Sequence, residues 1–468
     1  MDRLSPLDAE FLHLEDGITH MHIAGVAVFE GPPPPFAELE ALVERKLPLI
    51  PRYRQRVRSV PLELGRPLWV DDPHFELTYH LRHTALPRPG DDAALCRLVG
   101  RLMSQPLDRE RPLWETWLVE GLEGDRWALV AKIHHCMVDG IAGVDLLTVL
   151  LETERDPAPH DPAPAPDDWR PAPEPSGVAM VLDAWRGLAG DLGARVAGLP
   201  SVVRDPARAV RELRDTGIGL VNLGRHLGPT PPLSIEGPIG PHRVWAHASS
   251  SIEDIRVVRR AFGGTLNDVV LTAVSGAYRE VLQRRGDNPD TAVVRTLVPV
   301  SVRRADERGH TDNRVSGILF ELPVGIADPV ERLETVQGVM RELKHSHMAE
   351  AGETITELAR LAPPMVLGTA SRLGIRLSER LPQQSLNTVT TNVPGPQFPL
   401  YACGREMLEY HPYVPISAGL RLGTAILSYN GRLSFGVTGD FDRGKDVDVL
   451  ASAIAAGITE LRDRAGTT

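Results

Sequence analysis

The chain has 468 residues, of which 42% are hydrophobic, and it carries a formal net charge of −11 at pH 7. This length allows a large packed core and predicts two or three structural units. The acidic balance argues against nucleic-acid binding, which needs a basic surface that neutralises phosphates. The three cysteines form no CxxC pair, so we expect no disulfide framework and a reducing compartment.

The amino terminus, "MDRLSPLDAEFLHLED", is charged and lacks the apolar segment of a signal peptide. No stretch provides the about 18 consecutive apolar residues that a membrane-spanning helix needs. We therefore expect a cytoplasmic protein, and peripheral attachment to a membrane or lipid inclusion stays open.

The first elements are a strand over 21–30 and a helix over 36–50, whose apolar residues have helical spacing. Next, arginines alternate with other residues, at Arg52, Arg54, Arg56 and Arg58. As a strand, this segment would present one face made entirely of arginine. A solvated face of an edge strand is the favoured interpretation, and a binding surface for an anionic ligand or lipid headgroups is the alternative.

Residues 126–135, "RWALVAKIHH", form an apolar run typical of a buried strand. Alternation places Ile133 and His135 on one face, and Lys132 and His134 on the other. After Asp139 the apolar spacing becomes helical, so the sequence predicts a strand–loop–helix unit.

Residues 156–175 are dominated by Pro, Ala and Asp, which predicts an extended linker outside the core. An amphipathic helix is predicted over 177–199; packing on the body is favoured over contact with a membrane or partner. The second half predicts a helix over 265–283, strands over 292–303, 313–324, 422–429 and 433–438, a helical 329–350, and the stretch "NTVTTNVPGP" at 387–396. Strands and helices alternate in both halves, which predicts a mixed α/β protein.

The segment "KIHHCMVDGIAG" at 132–143 is the best candidate for chemistry. Adjacent histidines diverge on an extended chain, which disfavours a metal site and a Cys136–His135 dyad. The sequence has no GxSxG, P-loop, GxGxxG or HExxH motif. One imidazole at a strand end could act as a general base near neutral pH. Taken alone, a lone histidine is more often structural, and Asp139 more often caps the helix that follows.

The stretch "HHCMVDG" matches the HHxxxDG signature of the superfamily that includes chloramphenicol acetyltransferase and peptide-synthetase condensation domains. Over nearly its whole length the chain resembles the bacterial wax ester synthase/diacylglycerol acyltransferase family. The matching blocks include "LSPLDAEFLHLED", "PLDRERPLWETWLVEGL", "TLNDVVLTAVSGAYR", "VPVSVR" and "TNVPGP".

The resemblance implies two chloramphenicol acetyltransferase-like α/β domains with a central channel between them. We place an amino-terminal domain at 1–155, a linker at 156–175, a helical connecting segment at 176–235 and a carboxy-terminal domain at 236–468. The implied reaction esterifies diacylglycerol or a long-chain alcohol with the acyl group of acyl-coenzyme A, a substrate, without cofactor or metal. The alternatives are an acyltransferase that uses a carrier-bound thioester and a lipid-associated scaffold with a vestigial site.

By the same resemblance His135 is the general base and His134 supports it, with no acyl-enzyme. Asp139 is structural, with Gly140 beside it in the turn, and Arg303 is the candidate partner of Asp139. We expect the remaining channel residues to be Asn267, Asp268, Asn392, Pro394 and Gly395. For Asn267 the competing interpretation is an N-cap of the helix that follows.

Overall fold

The computed structural model describes residues 2–137, 149–156, 169–187, 231–301, 315–345, 386–417 and 419–466. The strands are β1 (His22–Glu30), β2 (Gln55–Arg58), β3 (Leu68–Asp71), β4 (Leu81–Ala85), β5 (Trp114–Leu122), β6 (Arg126–His134), β7 (Arg243–Ser251), β8 (Val294–Ser301), β9 (Val315–Leu322), β10 (Thr388–Pro394), β11 (Tyr401–Ala402), β12 (Arg405–Tyr413), β13 (Leu422–Tyr429) and β14 (Arg432–Asp440). The helices are α1 (Pro6–Leu14), α2 (Phe36–Lys46), α3 (Leu77–His80), α4 (Asp92–Met103), α5 (177–187), α6 (Ile252–Phe262), α7 (Leu266–Arg285), α8 (Pro329–His345) and α9 (Val447–Ala465).

Two six-stranded mixed sheets organise the molecule. The first has the strand order β11-β12-β1-β6-β5-β4, and the second has the order β7-β14-β13-β10-β8-β9. In the second sheet β10 is parallel to both β8 and β13, whereas β14 is antiparallel to its neighbours β13 and β7. The prediction of a mixed α/β fold is therefore confirmed.

One pair of strands crosses between the two halves of the sequence. The strands β11 and β12 follow β10 in the chain, but β12 pairs with β1 in the first sheet. The predicted boundaries, which assign 236–468 to one carboxy-terminal domain, did not anticipate this exchange. A strand can be predicted from its own sequence pattern, but this pattern does not show which neighbouring strand it will pair with.

Close backbone contacts join the two units. A Cβ atom added to Gly100 on α4 would lie 2.8 Å from the carbonyl oxygen of Arg243 on β7. The Arg243 amide donates to Ser104 Oγ at 2.8 Å, and its guanidinium donates to the Ile18 carbonyl at 2.6 Å. The start of β7 is therefore fixed to the end of α4 and to the loop that precedes β1.

The arginine segment differs from its prediction. Only Arg56 and Arg58 lie in β2, because Pro51–Arg54 form a 3-10 turn. Arg56 and Arg58 both pair with Glu110 and Glu174. The solvated arginine face of a strand is thus a wrong prediction. Carboxylates pair with the guanidinium groups on β2, which weakens the case for an anion-binding surface there.

Helix α5 packs on the body through one face, as was favoured. Met180 and Ala184 are buried against Val60, Leu68 and Val70. The opposite face carries Val178, Leu182 and Trp185, whose exposed fractions are 72%, 51% and 59%. Residues 188–199 of the predicted helix lie outside the described residues.

Candidate active site

The histidine pair lies where β6 ends. His134 is the last residue of the strand, and His135 begins a 3-10 turn, His135–Met137. Along β6, Leu129, Ala131 and Ile133 pack into one apolar cluster, whereas Ala128 and Val130 pack into another. The predicted alternation is confirmed, but the strand ends one residue before His135. The turn, rather than strand alternation, therefore sets the direction of the His135 side chain.

His134 is fully buried and its ring is held from two sides. Its Nδ1 accepts a hydrogen bond from the Cys136 amide at 3.1 Å. In a neutral ring the proton is therefore on Nε2. That Nε2 lies 3.6 Å from Glu15 Oε2. This packing leaves His134 no room to meet a substrate.

His135 is only partly buried, and it stands against an aromatic wall. Its backbone amide donates to the Met21 carbonyl at 2.8 Å. The centroid of its imidazole lies 3.9 Å from that of the Phe11 ring, with 34° between the planes. Of the two histidines, His135 is therefore the one that keeps partial exposure.

Glu15 is the hub of a buried polar cluster that the sequence did not indicate. Its Oε1 lies 3.1 Å from His22 Nε2, and its Oε2 accepts two hydrogen bonds from the guanidinium of Arg109, at 3.0 and 2.6 Å. Burial raises the pKa of the Glu15 carboxyl, but the interactions with His134 and His22 outweigh burial and hold this pKa well below its ordinary value. Glu15 is therefore an anion at every physiological pH.

Burial has the opposite consequence for the neighbouring histidine. It lowers the pKa of His22 to about 3, although the contact with Glu15 acts in the other direction. His22 pairs with His134 in the register of β1 and β6, and the two rings meet edge to face at 5.9 Å. The carboxylate of Glu15 thus faces neutral His22, while the charge that balances it is the guanidinium of Arg109.

Lys132 belongs to the scaffold beneath this cluster. Its side chain is fully buried, and its ammonium donates to the carbonyls of Leu102, at 3.0 Å, and Gln105. The Leu102 carbonyl lies in the last turn of α4, where a cation is favourable, and Gln105 follows the helix. Burial lowers the pKa of Lys132 to about 8. Lys132 therefore holds α4 to β6, two residues before the histidine pair.

The second group of predicted site residues lies between α7 and β10. Asn267 is in the first turn of α7, and its Oδ1 lies 3.5 Å from Asn392 Nδ2 on β10. The helix is capped by Thr265, whose hydroxyl accepts from the Asp268 amide while the Asp268 carboxylate accepts from the Thr265 amide. The interpretation of Asn267 as the N-cap is therefore wrong. The spacing T-x-x-D in the sequence is a signal for this capping box.

Pro394 and Gly395 end β10 at a close approach to β13. Pro394 is opposite Ser428 in the parallel register, and a Cβ on Gly395 would lie 2.2 Å from the Ser428 carbonyl oxygen. Leu427 and Tyr429 of β13 share an apolar cluster with Cys136 and Met137 of the histidine turn. The end of β13 in the second sheet and the histidine turn of the first therefore contribute to one apolar cluster. Asp139, Gly140 and Arg303 lie outside the described residues.

A cavity of about 360 Å³ opens beside Glu15, between α1, β2 and the segment before β5. Leu12, Val57 and Leu113 supply apolar lining, and Arg109 lies with Glu15 in its wall. Within the ranges given above, no group of three His, Cys, Asp or Glu side chains is arranged to hold a metal ion. None of the helices in those ranges is long and apolar enough to cross a membrane.

Family models and relatives agree with this architecture. The model of the wax ester synthase/diacylglycerol acyltransferase catalytic domain matches residues 4–270, and that of the WS/DGAT C-terminal domain matches 311–462. A Mycobacterium tuberculosis (strain ATCC 25618 / H37Rv) protein named as a diacylglycerol O-acyltransferase is 37% identical, and the match covers 98% of this chain and 96% of that protein.

Solved structures extend the comparison. The wax ester synthase/diacylglycerol acyltransferase from Marinobacter aquaeolei VT8 matches with a TM-score of 0.70 and 26% identity over 100% of both chains. The first condensation domain of the CDA synthetase shares the fold, with a TM-score of 0.57 and 18% identity over 98% of this chain and 96% of that one. Two mixed sheets with a histidine pair at the end of a central strand are features of the chloramphenicol acetyltransferase-like fold, and the family model places this chain among its acyltransferases. The chain belongs to the wax ester synthase/diacylglycerol acyltransferase family, and it is an O-acyltransferase.

Proposed function

We propose that the protein transfers the acyl group of acyl-coenzyme A to the hydroxyl of diacylglycerol or a long-chain alcohol. The products are triacylglycerol and wax ester. Membership of the family supports this reaction, as do the names of the relatives that match along almost the whole chain. Neither a cofactor nor a metal takes part, because the thioester already carries the activated acyl group.

The general base is His135, and one observation carries this assignment. His134 is fully buried with its Nδ1 occupied, whereas His135 is only partly buried. The imidazole of His135 takes the hydroxyl proton as the alcohol oxygen attacks the thioester carbonyl. The resulting imidazolium returns this proton to the departing thiolate, so the enzyme ends unchanged. General-base assistance of this kind contributes about 10²–10⁴-fold.

The other predicted site residues bind the substrate or shape the channel that holds it. Asn267 and Asn392, both half-buried, present amide groups where α7 meets β10, and Asp268 fixes the start of that helix. Pro394 and Gly395 shape the wall of the substrate channel between the two units. The structural role of Asp139, its pairing with Arg303 and the place of Gly140 in the turn stay predictions from the family resemblance, because these residues lie outside the described ones.

An acyl-transfer assay tests this function. The purified protein is supplied with palmitoyl-coenzyme A and either dipalmitoylglycerol or hexadecanol, and the free thiol and the ester are measured. His135→Ala should lower kcat by about 10²-fold or more, whereas His83→Ala, at a histidine with 44% exposure, should not. Unchanged turnover in His135→Ala would refute the base. Ester formation only from a carrier-bound thioester would refute the donor.

We expect the enzyme to act at a lipid surface, because its acceptor substrates partition into membranes. The exposed face of α5, with Val178, Leu182 and Trp185 at helical spacing, is the candidate contact. Leu182→Ser combined with Trp185→Ser should reduce co-flotation with phosphatidylglycerol-containing vesicles. Phe441→Ser removes a side chain of similar exposure, 48%, from the other unit and serves as the control. Equal flotation of all three proteins would exclude α5 as the anchor.

A further inference from the structure

We infer that Glu15 is a positioning residue for the acyl-transfer reaction and that it acts through His134 on the turn that carries His135. This inference rests on the proposed role of His135 as the base. It starts from the convergence of one buried carboxylate with both His22 and His134. Glu15 directly follows α1, which also carries Phe11, the ring against which His135 stands.

The first step is the exposure of Glu15. Its side chain is 8% exposed, and those of His22 and His134 are each 1% exposed. A carboxylate at such a site is costly unless charged or polar groups surround it. Arg109 supplies the charge, and the two imidazoles approach the oxygens from the other side. Loss of Glu15 would leave the buried rings of His22 and His134 without the anion that both face.

The second step is the direction of the His134 ring. The Cys136 amide donates to Nδ1, and the Glu15 carboxylate faces Nε2. Both contacts favour the same neutral tautomer, with the proton on Nε2. At 3.6 Å this contact is longer than a hydrogen bond, so the Glu15 charge orients the His134 ring electrostatically and through packing. His134 is therefore clamped between its own turn and the residue that follows α1.

The third step connects the clamp to the base. Cys136, whose amide binds His134, is the residue directly after His135, and the His135 amide is fixed to Met21. Rotation of the His134 ring would release the Cys136 amide, and the 3-10 turn that aims His135 would lose a contact. A displacement of about 1 Å at a reacting group can cost about 10²-fold in rate. The effect of Glu15 should therefore appear in kcat, with KM for either substrate little changed.

A double-mutant cycle tests this route. Glu15→Gln keeps the size of the side chain and removes its charge. His134→Asn keeps an oxygen able to accept from the Cys136 amide and removes the nitrogen that faces Glu15. Each single variant should lower kcat by about 10-fold or more, and the double variant should fall no further than the lower single variant. Glu10→Gln, on α1 at 31% exposure, is the matched control and should retain wild-type kcat.

Three results would overturn the inference. An unchanged kcat for Glu15→Gln would remove its role, and multiplicative losses in the double variant would show that Glu15 and His134 act separately. An equal loss of kcat in Glu10→Gln would show that both substitutions act only by destabilising α1. If Glu15→Gln does not fold, Glu15→Asp, which keeps the charge but withdraws it by one methylene, replaces it in the cycle. The proposed role of His135 is tested separately, because a His135→Ala variant with wild-type activity would contradict that role whatever the result for Glu15→Gln.

Discussion

Asn267 and Asn392 are 125 positions apart in the sequence, and their side-chain amides meet at 3.5 Å where α7 begins beside β10. Each belongs to a block by which the chain resembles its family. The contact is long for a hydrogen bond, so its own contribution to stability is small. The pair therefore offers a way to separate binding of substrate from stability of the fold.

The first prediction compares Asn267 with the true cap of the same helix. Thr265→Ala removes the capping hydroxyl and should lower the free energy of unfolding by about 1 kcal/mol, with little effect on KM. Asn267→Ala should cost less stability but raise KM or lower kcat by about 10-fold, if its amide binds substrate. Urea unfolding and steady-state kinetics on both variants measure the contrast. Wild-type kinetics in Asn267→Ala would remove this residue from the site.

The same helix shows what the sequence could predict. The strand at 21–30, the helix at 265–283 and the strands at 422–429 and 433–438 follow from apolar periodicity, and the structure contains each of them. Patterns of this kind are local, so neighbouring residues suffice to reveal them. The capping box at Thr265 was also readable, because its two members are three residues apart.

What the sequence could not reveal depends on contacts between distant segments. The pairing of β12 with β1 joins residues near 410 to residues near 25. The role of Glu15 depends on two histidines that reach it from β1 and β6. The histidine pair itself was visible as a motif, but only the fold shows that one ring is fully buried and the other is not. Lys132 did carry a signal, since a lysine inside an apolar run predicts a buried partner.

The second prediction concerns the wall against which the base stands. Phe11→Leu removes the ring whose centroid lies 3.9 Å from that of His135. The imidazole should then sample more rotamers, and kcat should fall by about 10-fold while KM changes little. Phe36→Leu removes a similar ring that stacks on His83 at 5.6 Å, and it should leave kcat unchanged. Equal kcat values in the two variants would mean that Phe11 does not orient the base.

The third prediction is a loss of stability in acid. Burial lowers the pKa of His80 from 6.5 to about 4, although its hydrogen bond with the Trp114 carbonyl acts in the opposite direction. Between these values the unfolded chain binds more protons than the folded protein, so the free energy of unfolding falls as the pH falls. The contribution of His80 is complete above pH 6.5 and is lost toward pH 4; it amounts to about 1–3 kcal/mol.

His80→Asn isolates this contribution, because the asparagine amide can still donate to the Trp114 carbonyl. The urea midpoint of the variant should depend less steeply on pH between 6.5 and 4.5 than that of the wild type. His22, with a pKa of about 3 for the same reason, retains its share of the slope in both proteins. His83→Asn, at an exposed histidine three positions along the chain, should keep the wild-type slope. Identical slopes in all three proteins would contradict the role of His80.

The fourth prediction uses two glycines with opposite surroundings. A Cβ on Gly436 would lie 1.7 Å from the Pro412 carbonyl oxygen, where β14 approaches β12 of the other sheet. Because the nearest atoms belong to the Pro412 backbone, Gly436→Ala must displace β12 from β14, and we expect a loss of about 3 kcal/mol or more in stability. Activity at 25 °C should fall with it, since the histidine turn shares an apolar cluster with residues of both sheets.

Gly338 is the matched control on helix α8. A Cβ there has nothing within 4 Å, so Gly338→Ala meets no clash and reduces the conformational freedom of the unfolded chain. Its free energy of unfolding should rise by about 0.5–1 kcal/mol, with unchanged kinetics. Thermal and urea unfolding of the two variants measure the difference. Wild-type stability and activity of Gly436→Ala would contradict the prediction.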